Sequence, residues 1–202
     1  VEFSGKASGK AYIASAFNKP SASARLQIDD FRFEDGRMGT LYADSRWNEK
    51  EGQIDIDAIA KDTVLNRMGE RYVPLETSIQ GYVSPRKNNI ELNIKANGTR
   101  IEFLKSFCGS FIDRVDAFAD GNVQVAGPLD KINLTGELIA NGSLHLSALN
   151  TSYTLKHAKV RAIPNEIRFL NDTIYDRDGH QGILSGALYH QHLTKMSYDI
   201  NV

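Results

Sequence analysis

The chain has 202 residues, 41% of them hydrophobic and 24% charged, which is ordinary for a globular protein with one sizeable core. Lys and Arg number 24 and Asp and Glu number 25, a near-neutral balance that argues against a nucleic-acid partner, because nucleic-acid-binding domains usually carry a basic excess. The single cysteine, Cys108, excludes an intrachain disulfide scaffold and a multi-cysteine zinc site.

Alternation of apolar and polar residues dominates most of the chain. Successive residues of a strand point to opposite faces, so such runs have one apolar and one polar face, as is typical of antiparallel sheets. We therefore predict a mainly β protein with about a dozen strands in a long antiparallel meander. The clearest alternating runs lie at residues 54–58, 90–96, 123–125, 132–134 and 167–169.

Turn-forming residues separate these runs. The Asn141-Gly142 pair predicts a type I′ hairpin turn, because both residues tolerate positive φ. The apolar phase of Leu26 and Ile28 is reversed at Phe31, which predicts a β-bulge near Asp29. Further hairpin connections are predicted at residues 48–52, 85–89, 127–130 and 176–179.

Residues 101–118 repeat apolar side chains at three- and four-residue steps, which predicts one amphipathic helix. Thr99 and Glu102 would form its capping box, and Gly121 lies beyond its end. A shorter helical or irregular piece is predicted over 61–72. The predicted organisation of 1–202 is a single β-rich segment, with a first β unit at 1–100, the helix at 101–118 and a second β unit at 119–202.

Motifs for catalysis are not found in the sequence, and we predict no enzymatic activity, no catalytic residue, no metal and no cofactor. Asp55 and Asp57 could flank a glycosidic bond, but their spacing places them on the polar face of a strand, where solvated carboxylates are expected. The pair His190 and His192 could bind a metal, and residues 176–179 share two acidic positions with calcium loops. Each lacks further ligands at a suitable spacing, so surface residues and a turn are the favoured interpretations.

The second half of the chain carries an ordered set of motifs. Gly121-Asn-Val-Gln-Val-Ala-Gly127 is followed by Leu134-Thr-Gly136-Glu-Leu138, and then by segments that begin at Leu149, Asn165, Thr173 and Gly182. This order resembles the G-x-V-x-V-x-G and L-x-G-x-L unit and the segments that follow it in the TamB family, an AsmA-like group of bacterial envelope proteins. The resemblance covers residues 101–202, and over 1–100 it is one of architecture.

The resemblance implies a long, open β-groove with an apolar concave face, a β-taco. It implies a protein of the periplasm, anchored in the inner membrane, that handles phospholipid acyl chains or assists nascent outer-membrane protein strands together with an outer-membrane β-barrel assembly partner. No catalytic residues carry over from the family. Because the chain starts at Val1 without a leader or an anchor, we expect it to be a segment of a longer protein.

The apolar positions of the strands are the candidate groove face. A closed β-sandwich or β-solenoid could bury the same positions, and it would then be a carbohydrate- or protein-binding module in which Trp47 and Tyr42 stack on a sugar. Whether the apolar face is open at one edge decides between the two interpretations. The candidate groove-face residues are Ile54, Ile56, Ile90, Leu92, Ile94, Val123, Val125, Ile132, Leu134, Leu144, Leu146, Ile167 and Phe169.

Overall fold

A computed structural model describes residues 2–14, 21–65, 72–108, 112–147, 150–192 and 194–201 of the chain. Twelve β-strands and one short helix account for most of these residues. In chain order they are β1 (Phe3–Ala14), β2 (Ser21–Phe33), β3 (Gly36–Asn48), β4 (Gln53–Leu65), β5 (Tyr72–Ser84), β6 (Asn89–Arg100), α1 (Leu104–Cys108), β7 (Ile112–Pro128), β8 (Asn133–Leu146), β9 (Thr151–Ile163), β10 (Glu166–Tyr175), β11 (Gln181–Gln191) and β12 (Thr194–Asn201).

All the strands belong to one sheet, and their order in the sheet is their order along the chain. Every neighbouring pair is antiparallel, as short hairpin connections require. The sheet is open and curved, with β1 and β12 at its two edges. The predicted mainly β meander that forms a curved groove is therefore confirmed.

The strand register places the apolar residues of neighbouring strands side by side. Leu92 of β6 lies opposite Gly81 of β5 and Val125 of β7, and Val125 lies opposite Leu134 of β8. Cross-strand rows of this kind give the sheet one continuous apolar face and leave most of the charged residues on the other face, with buried Asp62 of β4 as an exception.

Glycines on the apolar face help the sheet to bend. Gly81 and Gly136 have φ values of 150° and 140°, which residues with a side chain rarely adopt. A Cβ atom at Gly81 would collide with the Glu91 carbonyl oxygen of β6, and one at Gly136 with the Asn122 carbonyl oxygen of β7. Glycines at such kinks are a known source of curvature in sheets.

The bulge near Asp29 is confirmed, because the register of β2 shifts against both neighbours there and Asp30 has a φ of 50°. Turns are present at 49–52, 85–88 and 129–130 and within 176–179, as predicted. The turn predicted at Asn141-Gly142 is wrong: both residues lie inside β8, where the register shifts between Ala140 and Gly142. The flexibility of Asn-Gly is used there for an irregularity in the ladder, and the Asn141 side chain accepts a hydrogen bond from the His157 backbone.

The predicted helix is present but covers only the five residues of α1. Residues 112–118 belong to β7, where Val115 and Ala117 lie opposite Leu144 and Gly142 of β8. Pairing with β8 gives these residues a complete hydrogen-bond ladder, which outweighs their helical spacing. The capping box is also wrong, because Thr99 lies in β6 and its hydroxyl contacts that of Thr77 at 2.6 Å.

Residues 61–65 are strand rather than helix or irregular chain, and β5 begins at Tyr72. The remainder of the predicted 61–72 piece, residues 66–71, lies outside the described residues.

Residues 101–108 form a strap that crosses one end of the sheet. The strap follows β6, yet its Phe103 packs against Gly36 at the start of β3, although β4 and β5 separate those strands in the sheet. The rings of Phe33 and Phe103 are 5.0 Å apart, and those of Phe33 and Phe107 are 6.1 Å apart. The sheet end that carries the strap is called here the strap end, and the opposite end, with turns 49–52, 85–88 and 129–130, the open end.

Two hydrophobic clusters form the core. The larger draws on β7 to β11 and on Ile101, with Phe103 and Leu104 of the strap packed against it. The smaller is built from Phe31, Leu41 and two alanines of β4. Between the clusters, towards the open end, the apolar face has less cover.

Candidate functional site

On the interior strands β4 to β8, the apolar face is only partly covered near the open end. The aliphatic side chains of this part belong to neither cluster, and they are half-buried except Ile54, which is 36% exposed. We call this surface the open stretch; it consists of Ile54, Val83, Ile90, Leu92, Ile94, Val123, Val125 and Leu134.

The structure divides the candidate groove-face residues into groups. Ile56 packs against the smaller cluster, and Leu144, Ile167 and Phe169 pack against the larger one. Leu146 is 3% exposed and belongs to the larger cluster itself. Ile132 lies in the connection before β8. The remaining candidates all lie in the open stretch. Sequence reasoning missed one member of the open stretch, Val83, although its position between Tyr82 and Ser84 fits an alternating strand pattern.

The open stretch offers side chains and no free backbone. Each of its strands, β4 to β8, has a hydrogen-bonded strand on both sides. A ligand on this surface can therefore make apolar contacts but cannot add to the ladder, which needs an unpaired edge.

Hydrogen bonds and charge pairs tie the turns of the open end together. Buried Ser84 donates to the Gly52 carbonyl oxygen at 2.8 Å and accepts from the Lys87 backbone N–H at 3.1 Å. The Trp47 indole donates to Glu49 at 2.6 Å, which holds the pKa of that carboxyl below its usual value. Cationic residues lie in the turns at 49–52 and 85–88 and directly after the turn at 129–130. They are Lys50, Arg86, Lys87 and Lys131.

At the strap end a buried carboxylate joins three strands. Asp62 of β4 accepts from Arg37 of β3 at 2.9 Å and from Arg100 of β6 at 3.1 Å. Arg100 also lies over the Phe118 ring, with its guanidinium carbon 5.2 Å from the ring centre. This network closes the strap end. Sequence reasoning missed it, although a signal was present: Asp62 continues the alternation of Ile56, Ala58 and Ala60 on the apolar face of β4, whereas Asp57 lies on the polar face.

The structure does not bring the proposed sugar-stacking pair together. Trp47 lies opposite Ile54 on the apolar face, whereas Tyr42 lies opposite Gln27 and Ile59 on the other face. The guanidinium of Arg86 lies over the Trp47 ring at 6.0 Å. The single open sheet also removes the closed sandwich on which the carbohydrate-binding alternative was built.

Asp55 and Asp57 lie on the polar face of β4, each with an amide partner. Asp55 accepts from Gln53 at 2.6 Å, and Asp57 accepts from Gln80 at 3.3 Å. Such pairs are typical of a solvated strand face, and neither carboxylate opposes the other across a cleft, as a glycosidase requires.

Histidines and acids near β11 do not form a developed metal site. The prediction of a surface residue is wrong for His190, which lies buried in β11, where burial, followed by the charge of His192, lowers its pKa. His192 lies in the following turn with a φ of 50°, so the two rings do not share a strand face.

The carboxylates of Asp176 and Asp178 and the His180 ring lie within 4.8 Å of one another. Asp176 accepts from the backbone N–H groups of Asp178 and His180 and contacts the His180 ring at 2.9 Å. These bonds organise a turn, and the turn alone accounts for the cluster.

A shallow depression of about 850 Å³ lies over β1 to β4. It is lined mainly by side chains of the polar face, including Tyr12, Arg25 and Tyr42, so it is not the open stretch. Arg25 and Asp44 within it already pair at 2.8 Å, and both are largely exposed. This pair is therefore satisfied in contact with water, and the depression offers a ligand little beyond a solvated surface.

Cys108 is the last residue of α1, and its side chain lies outside the part of the chain that the structure describes. In the described ranges, no helix has the length and apolar character needed to cross a bilayer. Comparisons of the chain with protein-family models, with curated proteins and with solved structures find no match.

Proposed function

We propose that the chain is a non-enzymatic part of a TamB-like, AsmA-like envelope protein whose open stretch holds the acyl chains of phospholipids. The observation that carries the proposal is the continuous, partly exposed aliphatic surface of β4 to β8. Soluble monomers rarely expose large contiguous apolar patches, and those that do use them to bind apolar ligands or partners.

The form of the open stretch favours acyl chains over nascent protein strands as its ligand. Its residues are aliphatic, and the fully paired backbone beneath them presents nothing to which a peptide could hydrogen-bond. Phospholipid headgroups are anionic at the phosphate, and the exposed Lys50 and Lys131 stand at the end of the sheet where the open stretch emerges.

The proposal extends to location and partners. A groove of this kind would act in the periplasm, in a protein anchored in the inner membrane, with an outer-membrane β-barrel assembly partner. Nascent outer-membrane strands are the second client that the family resemblance implies, and they would have to use a sheet edge rather than the open stretch.

A photo-crosslinking residue placed singly at Leu92, Val125 or Leu134 tests the proposal. In the presence of phospholipid vesicles, we expect these positions to capture lipid, with mass spectrometry of the adduct as the measurement. Asn93 and Gln124 are matched controls, because each is adjacent in sequence to a test position and points to the opposite face. Equal capture at test and control positions contradicts the proposal.

A Leu92→Glu variant adds a functional test. A carboxylate in the centre of the open stretch opposes burial of an acyl chain, so phospholipid binding should fall about tenfold or more. The Asn93→Glu variant adds the same charge on the opposite face and should bind as the parent chain does. Unchanged binding by Leu92→Glu, with its circular dichroism spectrum intact, argues against the open stretch as the lipid site.

A further inference from the structure

The apolar face of β7 runs from the open stretch to the strap. Val123 and Val125 belong to the open stretch and are partly exposed. Further along the same face, towards the strap end, lie Ala119, Ala117 and Val115. These three residues are buried, with between 1% and 8% of their surface exposed. One apolar surface is therefore open at one end and covered at the other.

The strap supplies part of that cover. Its first residue, Ile101, belongs to the same larger cluster as the three buried residues of β7, and Phe103 and Leu104 pack against that cluster. The rings of Phe103 and Phe107 also lie against the Phe33 ring of β2. The strap side chains thus occupy apolar surface that would otherwise lengthen the open stretch along β7.

Apolar contacts hold the strap to the sheet beyond its first residue. Ile101 donates to the Ala117 carbonyl oxygen at 3.1 Å, but the N–H groups of residues 104–106 donate to carbonyl oxygens three residues earlier, inside the strap, at 3.0–3.2 Å. The Glu102–Lys105 ion pair, at 3.6 Å, is internal as well. Among the described residues, no hydrogen bond or ion pair joins 102–107 to the sheet.

Polar side chains at the strap end find their partners within the sheet. Asp62 pairs with Arg37 and Arg100, and the hydroxyls of Thr77 and Thr99 contact each other at 2.6 Å. Lifting the strap therefore leaves these bonds intact and gives up apolar contacts alone. An acyl chain can replace apolar contacts with others of the same kind, because burial of apolar surface has no directional requirement.

We propose that the strap is a displaceable lid, and that an acyl chain on the open stretch takes the place of Phe103 and Leu104 against the larger cluster. The inference rests on the proposed function, which supplies the acyl chain. With the lid closed, the apolar seat is confined to the open end; with the lid lifted, it extends along β7. Lipid binding and lid closure compete for one surface, so each opposes the other to the same degree.

A disulfide between the strap and β3 tests the proposal. A Cβ atom at Gly36 would lie 2.9 Å from the Cβ atom of Phe103. A disulfide needs a Cβ separation of about 3.5–4.5 Å, so a small shift of the strap suffices for the bond. Gly36→Cys and Phe103→Cys are combined with Cys108→Ala, which removes the one native thiol.

Binding of palmitoyl lysophosphatidylcholine, kept below its micelle concentration, is measured by equilibrium dialysis before and after reduction of the disulfide. The oxidised variant should bind about tenfold or more weakly than the same variant reduced, because the closed lid cannot leave the apolar face.

The pair Ser78→Cys and Lys95→Cys, also with Cys108→Ala, is the matched control. These residues lie opposite each other on β5 and β6, on the face away from the strap. Their disulfide links two strands beneath the open stretch without holding the strap, so binding should be the same in the oxidised and reduced forms.

Phe33→Ala tests the lid in the opposite direction and needs no disulfide. It removes the ring that Phe103 and Phe107 contact, so the closed lid is weakened and lipid binding should strengthen several-fold. Equal binding by the oxidised and reduced strap variant overturns the lid, and so does a Phe33→Ala variant with an intact circular dichroism spectrum and no gain in binding. Absence of binding by every form, the parent chain included, contradicts the proposed function itself.

Discussion

The Ser84 side chain shows how one small polar group can hold an end of the sheet together. Its hydroxyl is fully buried and bonds both the Gly52 carbonyl and the Lys87 amide, so it joins two neighbouring turns. The side chain therefore acts as a shared cap for two hairpin turns, and it reaches Gly52 across 32 residues of chain.

Replacing Ser84 by alanine should lower the free energy of unfolding by about 1–3 kcal/mol, because the Gly52 carbonyl and the Lys87 amide lose their hydrogen-bond partner. Urea denaturation followed by circular dichroism is the measurement. Ser23→Ala removes a hydroxyl from an exposed position of β2 and should stay within about 0.5 kcal/mol of the parent. A similar small effect at Ser84 would show that water replaces the hydroxyl.

The Asp176 carboxylate, in the turn between β10 and β11, makes a pH-dependent contribution to the stability of the fold. Its hydrogen bond with the His180 ring is the main cause of its lowered pKa, and the backbone N–H groups of His180 and Asp178 add to the effect. An acid with a lowered folded-state pKa stabilises the fold above the ordinary carboxyl pKa. That contribution is lost as pH falls through the lowered value.

Asp176→Asn should therefore destabilise the protein at neutral pH and reduce the loss of stability on acidification. Thermal unfolding across the carboxyl titration range gives the measurement. Asp178→Asn is the control: the Asp178 backbone N–H, and not its carboxylate, is the group bonded to Asp176, so it should leave the pH profile unchanged. Parallel pH profiles for Asp176→Asn and the parent would contradict the assignment.

Among the elements, the strap depends on one close approach. The φ angle of Gly36 is not in the left-handed region. A glycine is required at this position only because there is no room for a Cβ atom. A Cβ atom there would lie 2.7 Å from the backbone nitrogen of Phe103, closer than real Cβ atoms come to any backbone atom.

Gly36→Ala should displace the strap and cost about 1–3 kcal/mol of stability through overpacking. Solvent quenching of a fluorophore at the strap, measured with urea unfolding, should report greater exposure of residues 101–108. Gly179→Ala is an instructive comparison, because Gly179 has open space around it and a φ of 87°. Its cost should come from backbone strain alone and should leave the strap in place.

The elements that sequence reasoning predicted correctly are those whose signal is local. Alternation identified the strands because a single apolar face repeats every second residue, and the bulge near Asp29 was visible as a change of phase. The helix at 101–118 was overextended because Val115 and Phe118 are spaced as in a helix but pair with β8, a contact that no local window contains. The turn predicted at Asn141-Gly142 was wrong for the same reason, because these residues pair with strands that are distant in the sequence.

The same limit explains what was predicted of the site. The alternation of apolar and polar residues along each strand was enough to assign positions to the apolar face. It was not enough to divide those positions into core and open stretch. That division depends on where the strap crosses, and the strap is positioned by Gly36, more than sixty residues earlier in the chain. The bridging role of Asp62 likewise depends on Arg37 and Arg100, which come together only in the folded sheet.

At the scale of the whole molecule, protection from solvent increases from the β1 edge towards the middle of the sheet. β1 has no buried residue, whereas β8 lies between two strands and contributes the buried Ala140 and Leu146. Regions with few buried contacts open at a lower free energy than the core.

Amide hydrogen exchange on a dilute sample should therefore show β1 exchanging fastest among the strands and β7 to β9 slowest, resolved by mass spectrometry of peptides. The exposed strand face at Asn93 and Lys95 is a useful internal comparison, because its amides are paired on an interior strand despite their exposed side chains. Equal protection of β1 and β8 in the dilute sample would show that the sheet opens only as one unit.

The identity between chain order and sheet order has an evolutionary consequence. No strand depends on a distant partner for its ladder, so the natural unit of gain or loss is one hairpin. Adding or removing two consecutive strands keeps the direction of every later strand, keeps its apolar residues on the same face, and returns the chain to the same end of the sheet. Adding a single strand would exchange the two ends for everything that follows. Proteins built on this plan should therefore differ in length by even numbers of strands, with the width of the groove as the quantity on which selection acts.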